Sequence, residues 1–240
     1  LDGMLDIMQA NSINRLTIDW PTLRATVNAQ AAPATSIDQL SPAITTALRL
    51  LGDGHSSYRS ATGAMLFVPT RSCQPTSIGS VDVPANVGYV RVRSFSGTAP
   101  AATAYADELQ RGIESADRDG LTGWIVDVRG NGGGNMWPMV AGVGPVLGEG
   151  VAGYFIDPAG VESVWEYRDG ASRLGGSVAQ TVTAPYRRRR ERPRVAVLID
   201  NGIASSGEAT VIAFKQRPDT RFFGVRTCGL STANRGFPLT

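Results

Sequence analysis

Two short and almost unbroken apolar runs limit the architecture more than anything else in the chain. They are GWIVDV (123–128) and RVAVLID (194–200). Runs of this length and β-branched content, bounded by turn residues, read as buried strands. Each leads into a turn and then a helix: RGNGGGN is a loop before MWPMVAGVGPVL, which looks like a helix start, and IASSGEATVIAFK reads as a turn and helix. NVGYVRVRSF alternates like a strand, and Ala101 to Ala116 reads as an amphipathic helix with Tyr105, Leu109 and Ile113 four residues apart. GYFIDPAG and SVWEYRDG read as hairpin segments, and TRFFGVRT as a further strand. Strands alternating with helices predict an α/β fold.

The beginning of the chain has a different character. Leu1 to Met8 reads as a helix, and Pro21, after Trp20, sits where proline suits a first helical turn. Ser36 to Leu51 starts on a cap-like serine, places apolar residues three and four apart and stops at Gly52. Residues 60–86 are rich in Ser, Thr, Pro and Gly apart from MLFV, as expected of a strand followed by a linker. The expected division is an N-terminal helical subdomain (1–59), a strand and linker (60–86) and an α/β core (87–240). No repeat of fixed period occurs.

Composition removes several function classes. A net charge of +2 over 240 residues gives no reason to expect nucleic acid as a partner. The basic run Arg187 to Arg190, continued by Arg192, has no interleaved aromatics and reads as a solvated loop. No apolar run approaches the roughly 18–20 residues of a membrane span. There is no CxxC and no Cys/His cluster of the kind that holds a metal. Cys73 and Cys228, the two cysteines, make one disulfide in an oxidising compartment or are two separate buried thiols. A chain opening on Leu1 suggests a processed start. The expected location is secreted or otherwise extracytoplasmic, with the cytoplasm as the alternative.

Three stretches can carry chemistry. RGNGGGN (129–135) lies between a strand and a helix, where backbone N–H groups can face an anion. It lacks the last glycine of a dinucleotide fingerprint and the GK[ST] of a P-loop, so an oxyanion suits it better than a phosphate. IASSGE (203–208) follows the other strand. Ser205 with Glu208 three residues later is a capping box; a serine at such a turn, with the Ser206 N–H beside it as an oxyanion donor, is also how a nucleophile is presented. These six residues alone admit both readings. A serine nucleophile needs a base. His55, in LGDGHSSY, is the only histidine, so any Ser/His chemistry must use it.

Taken together, DGHS (53–56), DVRGNGGG (127–134) and IDNGIASSGE (199–208) resemble the S41 serine peptidases in content, order and separation. That family includes C-terminal processing proteases, tricorn-type proteases and interphotoreceptor retinoid-binding proteins. The processing branch uses a Ser–Lys dyad. Here the corresponding place holds Leu230, and the only lysine, Lys215, is ten residues beyond Ser205. The tricorn-like branch pairs its serine with an N-terminal histidine. Carried over, that implies Ser205 as nucleophile, His55 as general base and the Gly133 and Ser206 amides as oxyanion hole.

The resemblance further implies a crotonase-like ββα superhelix, a peptide or protein substrate, and no metal or organic cofactor. About 30 residues separate DGHS from the NVGYVRV strand, too few for the family's PDZ domain. Tricorn-type sites support the histidine with a preceding serine and a distant glutamate. Gly54 stands before His55, leaving Asp53, Ser56 or Ser57 to orient the ring, or a glutamate beyond Thr240 if GFPLT begins another strand. Two other functions fit the same fold: a non-catalytic binder of a hydrophobic ligand, in which Ser205 only caps its helix, and an esterase.

Overall fold

The computed structural model describes residues 1–75, 79–189 and 192–239. The chain divides into two units: residues 1–72, 156–161 and 232–240 form the first, and 73–155 with 162–231 the second.

In the first unit, α1 (Asp2–Asn11), α2 (Trp20–Ala31) and α3 (Ser41–Leu51) precede a small antiparallel pair, β1 (Ser57–Arg59) and β2 (Met65–Phe67). Asp19 caps α2 through the Thr22 amide, and Pro21 occupies its first turn. The helix expected from Ser36 instead begins at Ser41, after a 3-10 turn over Asp38–Leu40. Pro42 explains the shift. Its ring and missing N–H are tolerated in a first helical turn but break an interior. Ala43, Ile44, Ala47, Leu48 and Leu51 recur on one face of α3 and are buried against Met4, Leu5, Trp20, Leu23 and Val27. Gly52 ends α3 in the left-handed conformation (φ 68°), which costs glycine little.

The second unit holds two four-stranded sheets. One is parallel, in the order β10 (Thr220–Gly224), β9 (Arg194–Ile199), β4 (Gly123–Asp127), β3 (Val87–Arg91). The two apolar runs of the sequence are its central pair, which is why they do not alternate. The other sheet is antiparallel: β5 (Gly150–Ile156), β6 (Glu162–Arg168), β7 (Ala171–Leu174) and β8 (Ser177–Thr181). The expected hairpin segments correspond to β5 and β6. β7 and β8 form a further hairpin around Gly175–Gly176, both at positive φ (56° and 82°), as a type I′ turn requires.

Helix α4 (Ala101–Ala116) packs on β3 and on α5 (Met136–Leu147), and α5 packs in turn on α6 (Ser206–Lys215) and on β6, β7 and β8. Surrounded in this way, α5 is apolar on every side, and all its residues but Trp137 are buried. Close approach explains two of its glycines. A Cβ on Gly142 would meet Leu109 at 2.6 Å, and one on Gly144 the Tyr167 ring at 1.9 Å.

Most of the basic run finds acceptors within this unit. Arg187 pairs with Asp169, Arg188 donates to the Pro145 carbonyl, and Arg189 binds Asp117 and Asp119. Arg190 lies outside the described residues. No helix of the described residues is long and apolar enough to cross a membrane.

Cys73 and Cys228 form a disulfide with a sequence separation of 155. Cys73→Ser with Cys228→Ser should lower stability by on the order of 2–5 kcal/mol, because so long a loop is closed by the bond. Urea denaturation with and without reductant checks this: wild type should fall to the level of the double variant, which reductant should leave unchanged.

Candidate active site

Parallel pairing of β4 with β9 puts Asp127 opposite Leu198, so the two strands release their following loops side by side. The carboxyl ends of adjacent parallel strands are where open α/β sheets place their ligand sites. Here they deliver the Gly-rich loop and the serine turn.

These loops are bonded to each other. Asp200 Oδ1, buried, accepts the amides of both Gly130 (2.9 Å) and Gly202 (3.1 Å). The Ala204 amide donates to the Asn131 carbonyl at 3.1 Å, and Ser206 Oγ donates to the Gly134 carbonyl at 2.6 Å. Asn131, fully buried, also fixes the loop from inside, donating to the Val92 carbonyl and accepting the Gly133 amide at 3.0 Å. From the β3 side, Ser94 Oγ accepts the Gly132 amide and the Phe95 carbonyl accepts that of Asn135.

Ser205 stands at the N-cap position of α6 but makes no capping bond, and its backbone is at φ 54°, ψ −123°. A non-glycine residue held there costs on the order of 1–3 kcal/mol and persists only where surrounding bonds impose it. The capping-box expectation is therefore corrected. Glu208 does not reach back to the Ser205 amide, which donates to the Leu230 carbonyl at 3.0 Å, while Glu208 Oε1 binds Thr227 and Gly229. The Ser206 N–H donates to no protein acceptor among the described residues.

Gly133 lies against the serine: a Cβ there would be 2.8 Å from Ser205 Cβ and 2.9 Å from the Ala204 carbonyl. Its own amide is turned to Asn131. Lys215 is the last residue of α6, ten residues from Ser205, or about 15 Å along a helix axis.

His55 belongs to the first unit, in the turn between α3 and β1. Asp53 Oδ1 accepts the amides of His55 and Ser56 at 2.9 Å each, and Asp53 Oδ2 accepts Ser56 Oγ. Asp53 thus shapes the backbone of the turn. One ring contact is with Thr232: Nδ1 and Oγ1 are 2.7 Å apart. The Asn234 amide group donates to the His55 carbonyl. Nothing about STAN (231–234) singles it out in the sequence, because its connection to His55 spans 177 residues.

Asp127 and Arg129 of DVRGNGGG form a further cluster whose arrangement the sequence did not reveal. The Asp127 side chain is fully buried, takes Arg129 Nε and Nη2 at 2.9 and 2.8 Å, and accepts Tyr89 Oη at 2.9 Å. Burial pushes its carboxyl up, but the bonds from Arg129 and Tyr89 together outweigh that and hold it below the ordinary value. The Tyr89 hydroxyl is pushed up to about 12, by burial first and then by Asp127.

A depressed carboxyl stabilises the fold above its unfolded pKa and loses that contribution as pH falls through the folded value. Asp127→Ala should therefore lower stability near pH 7 by on the order of 3 kcal/mol. The gap to wild type should narrow below about pH 4, as denaturation at a series of pH values would show.

The family model for peptidase family S41 matches residues 86–240, well over half of the chain. The chain belongs to peptidase family S41. Similar proteins include the nisin-resistance protein of Lactococcus lactis subsp. lactis, 27% identical over 217 residues, which are 90% of this chain and 65% of that protein. The carboxy-terminal processing protease CtpA of Bacillus subtilis (strain 168) is 29% identical over 147 residues, 61% of this chain and 27% of that protease. This S41 member thus spans less than two thirds of either relative. Among solved structures, a lipoprotein from Streptococcus agalactiae shares the fold, with a TM-score of 0.71 at 19% identity over 100% of this chain and 79% of that one.

Proposed function

We propose that this S41 chain is a serine peptidase in which Ser205 is the nucleophile and His55 the general base. The observation that carries the reading is the Ser205 backbone. A serine that served its helix would accept an amide of the first turn, whereas Ser205 holds a strained positive-φ turn and makes no capping bond. This also weighs against the ligand-binding alternative, which needed Ser205 as a cap.

On this reading Ser205 Oγ attacks the peptide carbonyl while His55 Nε2 takes its proton, then returns it to the leaving amine. Thr232 is compatible with the required tautomer: with its hydroxyl accepting from Nδ1–H, Nε2 is the acceptor. Water then resolves the acyl-enzyme with His55 again as base. The Ser206 N–H faces the developing oxyanion. Gly133 joins it by sharing its proton with Asn131 or by a small turn of the loop.

The second unit is read as the family's crotonase-like ββα core, with no PDZ module between His55 and β3. The disulfide supports an extracytoplasmic location.

Labelling with a fluorophosphonate tests the proposal. The probe should attach to Ser205 and to neither Ser205→Ala nor His55→Ala. Nisin, named in one relative, is the first compound to assay beside a peptide library, and p-nitrophenyl esters turned over without any peptide cleavage would mark an esterase.

A further inference from the structure

Glu208 is 4% exposed, carries no role in the proton transfers above and does not cap α6. A carboxylate buried to that degree needs partners. Its partners lie 19 and 21 residues further on: Thr227 Oγ1 at 2.5 Å and the Gly229 amide at 2.7 Å, both on Oε1. Oε2 is buried without a hydrogen-bond partner among the described residues. Two hydrogen bonds converging on one buried oxygen make this a firm anchor for a loop, since breaking them would leave buried polar groups unpaired.

What Glu208 anchors is residues 227–230, the strap that holds the serine turn. The Cys228 amide donates to the Ile203 carbonyl at 2.8 Å, and the Leu230 carbonyl accepts the Ser205 amide at 3.0 Å. Ala204, Cys228 and Leu230 pack together, with Cys73 beside them. In a capping box the glutamate would take the serine amide directly. Here the amide goes to the strap, and the glutamate takes the strap instead.

The Ser205 amide is bonded outside the helix, and the residue stands at φ 54°, away from the helical range.

We propose that Glu208 is a positioning residue for Ser205: it clamps the 227–230 strap, whose Leu230 carbonyl holds the nucleophile in its strained turn. The inference rests on Ser205 being the nucleophile. The clamp acts through backbone bonds and leaves substrate contacts alone, so its loss lowers kcat with little change in KM.

Two measurements on the full chain test it: hydrogen exchange of the Ser205 amide, and the rate of fluorophosphonate labelling, taken at temperatures where each variant is folded. Glu208→Ala should expose the Ser205 amide to exchange and slow labelling by about 10²-fold, the scale of a small misplacement of a reacting group. Glu208→Gln retains an oxygen for Thr227 and Gly229 and should recover most of both. Thr227→Val removes one strap bond without touching α6. It should shift both readouts in the same direction by less, and it serves if Glu208→Ala does not fold.

Unchanged Ser205 exchange in folded Glu208→Ala, or a Gln variant as impaired as Ala, overturns the clamp. A wild-type protein that never labels overturns the nucleophile reading instead, and amide exchange then judges the clamp by itself.

Discussion

Ser205→Ala and His55→Ala should each reduce peptide cleavage by at least about 10³-fold, and the double variant should be no worse than either alone. The expectation follows from how the two groups would work. Without the Oγ there is no acyl-enzyme, and without the imidazole nothing takes the proton from Oγ, so each loss removes the same step. Residual turnover would come from binding and from the Ser206 amide. The measurement is kcat and kcat/KM on a cleaved peptide, with circular dichroism to show that the variants fold. Multiplying effects would mean that the two residues act in separate steps, and wild-type cleavage by either variant would remove that residue from the mechanism.

Gly133→Ala should be nearly as damaging, and for a reason unrelated to proton transfer. The residue is at φ 107°, where a side chain is strained, and the added Cβ would stand 2.8 Å from Ser205 Cβ and 2.9 Å from the Ala204 carbonyl. Backbone of the serine turn has to give way. The predicted result is a fall in kcat of on the order of 10²-fold or more, with a stability loss of about 1–3 kcal/mol.

Gly132→Ala is the internal control. Its φ is not in the left-handed region, and the nearest atom to its Cβ is Ser94 Oγ at 4.0 Å. It should retain wild-type stability and most of the activity. Equal effects from the two substitutions, seen by thermal melts and peptide turnover, would show that the damage comes from stiffening the loop rather than from contact with Ser205.

Much of the fold was legible because it depends on periodicity. Helix α4 spans the range its apolar spacing suggests, Ala101–Ala116, the helix start expected at MWPMVAGVGPVL opens α5 (Met136–Leu147), and the two apolar runs became the central parallel strands. The start of α3 was misread because a serine cap is a weaker signal than the proline that follows at 42. The β7–β8 hairpin went unread although Gly175–Gly176 marks it, since its strands are short and mostly polar. GIASSGE shows the limit most clearly. A capping box is a local rule, and it was overruled by a segment more than 20 residues downstream that took both of its bonding groups.

By itself the chain determined which residues were available for catalysis: a single histidine, a single lysine at the far end of α6 from the serine, and two turns that follow buried strands. Those follow from composition and hydrophobic pattern, which need no partner to be read. Only the tertiary structure decided how the groups are held. Thr232 meets the His55 ring, Leu230 takes the Ser205 amide, Asp200 ties the two loops, and Cys73 joins Cys228. Each is a bond between residues far apart in the chain. A hydrogen bond depends on distance and angle between two particular groups, and no periodicity within either segment records where the other will lie.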